Sequence, residues 1–158
     1  MIFDTHAHYD DRKFDDDREE LLKQLRDAGI GRVVDIGADI DSTRKAVALA
    51  KQYDFIYAAA GVHPSDVDCL DERSFQWLTG LVEESVEEKG KIVAVGEIGL
   101  DYYWEKDPEQ RKKQQYWFEQ QMELARKTGL PVVIPGTRIH AGIVLGIVLC
   151  ILVWFFLY

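Results

Sequence analysis

Cysteine is nearly absent. The two that occur, Cys69 and Cys150, are far apart and belong to no motif. This excludes a disulfide framework and fits a reducing compartment. Positive charge is also short: 19 Lys and Arg face 28 Asp and Glu, for a formal net charge of -9. That balance excludes broad electrostatic adhesion to nucleic acid or to an anionic membrane. An acidic protein that handles a phosphodiester needs local positive charge, and a bound metal is one source. The N-terminus lacks the basic-then-apolar pattern of a secretion signal. There is no linker-like or low-complexity stretch and no solenoid repeat. At 158 residues the chain has room for one domain with a real core. It lacks the length of a complete barrel of eight strands and eight helices, which takes about 250 residues.

What the chain does have is alternation. Short apolar runs, "IFDTH", "RVVDIG", "FIYAAAGVHP", "KIVAVGEIGLD" and "LPVVIP", read as strands. Between them lie longer amphipathic stretches. The first carries Leu21, Leu22, Leu25 and Ala28 on one face, acids in its first turn, and Gly29 as its stop. The second is opened by Asp41 or Ser42. The third is marked by Phe75, Leu78, Val82 and Val86, and the fourth has Pro108 near its start and Gly129 just past its end. Alternating strands and helices imply right-handed parallel crossovers and an α/β fold with strands buried on both faces.

In such folds chemistry sits beyond the C-terminal ends of the strands. His6 and His8 pass that test. Two positions apart on a strand, they share a face and can converge on one ion. Asp4 shares the face and could orient one ring. Taken alone, an H-x-H pair is equally a surface or capping accident. His63, in "GVHPSD", also ends a strand, and capping a helix is its plain alternative. Glu97 lies between Gly96 and Gly99 among apolar residues, where a carboxylate is costly unless paired or coordinated. Asp101 and Tyr102 follow in the same loop and could position water or substrate, or be ordinary surface residues.

The segments "FDTHAHYDD", "GVHPSD", "VGEIGLDYYW" and "QQYWFEQQMELARKTGLPVVI" together resemble the TatD family of metal-dependent deoxyribonucleases, within the amidohydrolase-like superfamily. The resemblance runs from Met1 to about Ile134. It implies a TIM-barrel hydrolase that cleaves DNA phosphodiester bonds with a two-metal-activated water, often as a 3′ to 5′ exonuclease on single strands in the cytoplasm. The implied cofactors are divalent ions, two per complete site, of the Mg, Mn or Zn type. By the same resemblance His6 and His8 bind one metal, Glu97 bridges both, and His63 contacts substrate phosphate. Glu97 and His63 are thus the candidate catalytic residues, and His63, Asp101 and Tyr102 the candidate substrate-binding ones. The chemistry agrees, since a metal pair activates water and stabilises charge on attacking and leaving oxygens. No nucleophilic Ser or Cys stands out.

The chain departs from the family pattern after Ile134. The family continues with a histidine ligand and, two residues on, an arginine; here Pro135 is followed by "GTRIHAG", with Arg138 and His140 off register. Three of the six implied ligands therefore have no counterpart. Residues 141–158, "AGIVLGIVLCILVWFFLY", carry no charge at all. As a helix they would span roughly 27 Å, close to a bilayer's hydrocarbon thickness. The segment reads as a membrane anchor, as a segment folded back over open strand edges, or as an unrelated tail from truncation or frameshift. The break inside a motif favours the last.

The expectation is therefore an α/β partial TIM barrel of the first four to five β/α units over residues 1–135, followed by an apolar C-terminal helix within 136–158. The expected function is a TatD-type hydrolase that is weakly active or inactive. The competing readings are a non-catalytic membrane-tethered half-barrel or pseudogene product, and a related hydrolase with a non-nucleic substrate.

Overall fold

The computed structural model of the chain describes residues 1–135. Four strands alternate with four helices: β1 (Ile2–Ala7), α1 (Arg18–Asp27), β2 (Ile30–Ile36), α2 (Ile40–Gln52), β3 (Ile56–Ala60), α3 (Glu72–Glu87), β4 (Ile92–Val95) and α4 (Pro108–Thr128). Short 3-10 turns at Arg12–Phe14 and Pro64–Cys69 precede α1 and α3. The strands form one sheet in the order β1-β2-β3-β4, every neighbouring pair parallel. This is the α/β alternation that the apolar runs imply, in four units. The fifth run is not a full strand: residue Val132 makes a single parallel bridge to Val95. Pro131 and Pro135 flank that bridge, and proline has no N–H with which to extend a ladder.

Local sequence sets the helix ends. α2 is capped by Asp39 rather than by Asp41 or Ser42: the Asp39 side chain accepts from Ser42 N at 2.7 Å, and Ser42 Oγ accepts from Asp39 N at 2.7 Å. α3 repeats the device with Asp71 and Ser74, at 2.7 and 2.8 Å. Each such cap contributes about 1 kcal/mol. α4 starts on Pro108 and stops at Gly129, whose φ of 68° is left-handed. In α1 only Leu22 is fully buried, and Ala28 at its end is exposed.

The sheet buries both faces unequally. Val33, Ile56, Ala58, Ala60 and Val95 pack against the helices, where Leu22, Leu78 and Val82 are wholly buried. Burying each of these side chains stabilises by roughly 1.5–3 kcal/mol. The alternate residues Val34, Ile36, Ala59 and Ala94, joined by Val133, form a smaller cluster on the opposite face. Ala7 belongs to the helix-side core, so His6 and His8, one position either way, turn toward that smaller face.

The strand ends on that face approach closely at two glycines. A Cβ on Gly61 would lie 2.7 Å from the Gly96 backbone, and one on Gly96, at φ 156°, would lie 2.7 Å from Val133 O. Only glycine fits both positions. Residues 136–158, with the proposed domain boundary and the apolar helix expected there, lie outside the described residues. Among the described residues no helix is long and apolar enough to cross a membrane.

Candidate metal centre

The C-terminal end of β2 organises the site. Three consecutive carbonyls, Ile36 O, Gly37 O and Ala38 O, accept from three different candidate residues. His8 Nδ1 donates to Ile36 O at 2.9 Å, Glu97 N to Gly37 O at 2.9 Å, and His63 N to Ala38 O at 2.8 Å. Side chains or main chains from the ends of β1, β3 and β4 are thus tied to a single tripeptide. The peptide bond Gly96–Glu97 is cis.

The structure brings His6, His8 and Glu97 together, with one ligand atom from each within 4.8 Å of the others. The His6 and His8 rings meet edge to face with centroids 5.1 Å apart. His6 Nε2 lies 3.8 Å from Glu97 Oε2. Glu97 is 8% exposed. A buried carboxylate needs compensation, and the only ion-pair partner it has among the described residues is His6.

These residues fit a divalent ion on two counts. Because a carbonyl oxygen only accepts, the bond to Ile36 fixes the proton of His8 on Nδ1 and leaves the Nε2 lone pair free for a metal. Two imidazoles and one carboxylate are also a donor set of the zinc and transition-metal type, with donors across one ion up to about 4 Å apart. A modest closure of the 4.8 Å spread satisfies that limit. Asp4 does not orient a ring: its Oδ1 accepts from His6 N at 3.2 Å. The carbonyl of Ile36 does the orienting, for His8.

His63 stands apart from this cluster. Its Nδ1 accepts from Ser65 N at 3.1 Å and caps the turn Pro64–Cys69, as the plainer reading of its sequence allowed. With Nδ1 accepting, the neutral ring carries its proton on Nε2 and is a donor there. Asp101 turns its carboxylate onto its own loop, accepting from Tyr103 N at 3.2 Å and Trp104 N at 3.1 Å. Tyr102 is 39% exposed, with the Arg111 guanidinium 5.0 Å from its ring centroid.

Two acids escaped the sequence reading. Asp35, inside β2, is fully buried and accepts from Tyr9 N at 2.6 Å, pinning the segment that follows His8. Burial first, and then the neighbouring charge of Asp10, raise its pKa to about 7. Asp10 is 5% exposed, and burial raises its pKa as well. Among the described residues, Asp10 Oδ1 and Asp35 Oδ2 are buried without hydrogen-bond partners. A signal for Asp35 was present: an acid in the middle of "RVVDIG", a strand with both faces covered, invites the question asked of Glu97.

Residues 3–143 match the family described as TatD related DNase. The chain belongs to the TatD family. It is 39% identical over 134 residues to the uncharacterized metal-dependent hydrolase YabD of Bacillus subtilis, covering 85% of this chain and 50% of that protein. It is 31% identical over 140 residues to the 3'-5' ssDNA/RNA exonuclease TatD of Cronobacter sakazakii, covering 89% and 51%. The crystal structure of the TatD homolog YjjV from Escherichia coli superposes with a TM-score of 0.72 at 33% identity, over 87% of this chain and 51% of that one. This TatD chain thus spans about half the length of the curated relatives it matches. The parallel α/β sheet is that of the family's solved structures.

Proposed function

We propose that His6, His8 and Glu97 form a divalent-metal centre, and that the chain acts as a metal-dependent hydrolase of phosphodiester bonds in DNA, with single strands and 3′ ends as substrate. The observation that carries this is the convergence of the three donors, with Nε2 of His8 left free by the bond to Ile36 O. The family match supports it, as do the relatives named as metal-dependent hydrolase and ssDNA/RNA exonuclease. A divalent ion supplies Lewis-acid charge, lowers the pKa of water and screens phosphate, which an acidic protein must otherwise repel.

The chain's own residues would act as follows. His6 and His8 hold one ion through ring nitrogens. Glu97, with two carboxylate oxygens in a water-poor setting, would help hold that ion and could supply an oxygen to a second. His63 donates from Nε2 to a phosphate oxygen, its other nitrogen being engaged by Ser65 N. Asp101 and Tyr102 shape the loop on which the strand lies. Only three donors converge among the described residues, so we expect weak turnover from this chain. Residues 1–135 are the hydrolase part and 136–158 a separate apolar tail. The scarcity of cysteine supports a cytoplasmic setting for the former.

The test is release of 3′ nucleotides from a labelled single strand by the full chain with Mg²⁺, Mn²⁺ or Zn²⁺. Slow cleavage that EDTA, His6→Ala and Glu97→Ala each abolish is the expected result. Cleavage indifferent to both substitutions would overturn the reading.

A further inference from the structure

The loop between Glu97 and α4 carries three aromatic side chains in a row, Tyr102, Tyr103 and Trp104, at the end of the strand that presents Glu97. Trp104 is 78% exposed, against 39% for each tyrosine. A bare indole on a slack loop would mean little. This loop is pinned: Asp101 N donates to the buried Gln114 Oε1 at 3.0 Å, and the Asp101 carboxylate holds the nitrogens of Tyr103 and Trp104. Arg111 donates to Glu105 O at 2.8 Å and to Tyr102 O at 3.0 Å, and Lys106 Nζ reaches Tyr102 O at 3.0 Å. The Tyr103 ring meets the indole edge to face with centroids 4.7 Å apart. The large apolar surface of Trp104 is therefore held in water by design of its backbone, at low ordering cost to any ligand.

The pairing of cations with aromatic rings selects the ligand. The loop's acids keep their charge but turn onto main-chain donors: Asp101 as above, Glu105 on Asp107 N at 2.7 Å, and Asp107 on Glu109 N at 3.0 Å. Its cations, Lys106 and Arg111, sit 5.6 and 5.0 Å from the Tyr103 and Tyr102 ring centroids. A flat aromatic beside cations fits a base joined to a phosphate. Duplex bases already stack on each other, whereas single-stranded bases offer free faces.

We infer that Trp104 is a stacking platform for a base of single-stranded nucleic acid, sequence-tolerant, on the loop that follows Glu97. The inference rests on the hydrolase reading above for its substrate class, and names the residue that would grip that substrate.

The test is anisotropy of a fluorescein-labelled oligothymidylate titrated with the full chain in EDTA, where no strand is cut, with KCl added to screen the chain's acidic charge. Trp104→Ala should weaken binding by about 5- to 150-fold, and Trp104→Phe by less than about threefold, with far-UV circular dichroism unchanged. No binding by the unaltered chain, or equal binding by Trp104→Ala, overturns the inference. Hydrolysis of bis(p-nitrophenyl) phosphate by the unaltered chain with added Mn²⁺ separates the two readings, because it reports metal-dependent phosphodiester cleavage without a nucleobase. Intact hydrolysis without Trp104-dependent binding removes the platform alone; Trp104-dependent binding without hydrolysis removes the hydrolase reading alone.

Discussion

Replacing Asp35 by Asn should stabilise the fold, and should do so only above mildly acidic pH. The Asp35 pKa stands at about 7 in the folded chain against an ordinary 3.8, because burial and then the Asp10 charge disfavour its ionised form. For an acid raised in this way the sign is opposite to that of a salt-bridged carboxylate. Below about pH 4 both states hold the proton and there is no penalty; between about 4 and 7 the unfolded chain ionises first and stability falls; above about 7 the full cost is present. A shift of roughly 3 units at 1.36 kcal/mol each is about 4 kcal/mol. Asparagine is isosteric, keeps an oxygen for Tyr9 N, and carries no charge. Urea denaturation in EDTA should therefore separate Asp35→Asn from the unaltered chain by roughly 2 kcal/mol at about pH 5 and by roughly 4 at about pH 8. Parallel pH profiles for the two proteins, or an asparagine variant less stable at the higher pH, would refute the assignment of the strain to this carboxyl.

Titration calorimetry with Zn²⁺ should find affinity lowered at least about tenfold by His8→Ala or Glu97→Gln, since each removes a donor. A saturating divalent ion, at about 100 times its dissociation constant, should raise stability by about 2.7 kcal/mol, a gain that EDTA reverses and that thermal melts register. Asp39→Ala should cost about 1 kcal/mol in urea without changing metal affinity, because the cap lies on α2 and not among the donors. Gly96→Ala should be more damaging than any of these, lowering both the melting temperature and metal affinity, because its Cβ would sit 2.7 Å from Val133 O next to Glu97.

Much of this was readable in advance, for identifiable reasons. The spacing of His6 and His8 on a period-2 strand forces a shared face, and the structure places Glu97 against them. Pro108 and Gly129 bracket α4 because proline and glycine act through the backbone alone. Other features were hidden. Asp39, Asp41 and Ser42 are all competent caps, and only the chain's path decides that Asp39 takes the role and Ser42 answers it. A fifth strand was legible as an apolar run, but its flanking prolines limit the ladder to one bridge. Asp35 looked like a strand residue because the loop that covers it arrives from residues 26 positions away. The supports of the candidate metal centre are carbonyls, which every residue possesses and no letter of the sequence marks.

That last point has a thermodynamic consequence. Successive peptide units at Ile36, Gly37 and Ala38 share stiff covalent geometry, yet one bears on the His8 imidazole, the next on Glu97 and the third on His63. An ion that tightened His8 and Glu97 would pull on the same tripeptide that sets His63. On the proposed roles, metal loading and anion capture would be linked equilibria, each shifting the other by one common factor, with no side chain passing between them.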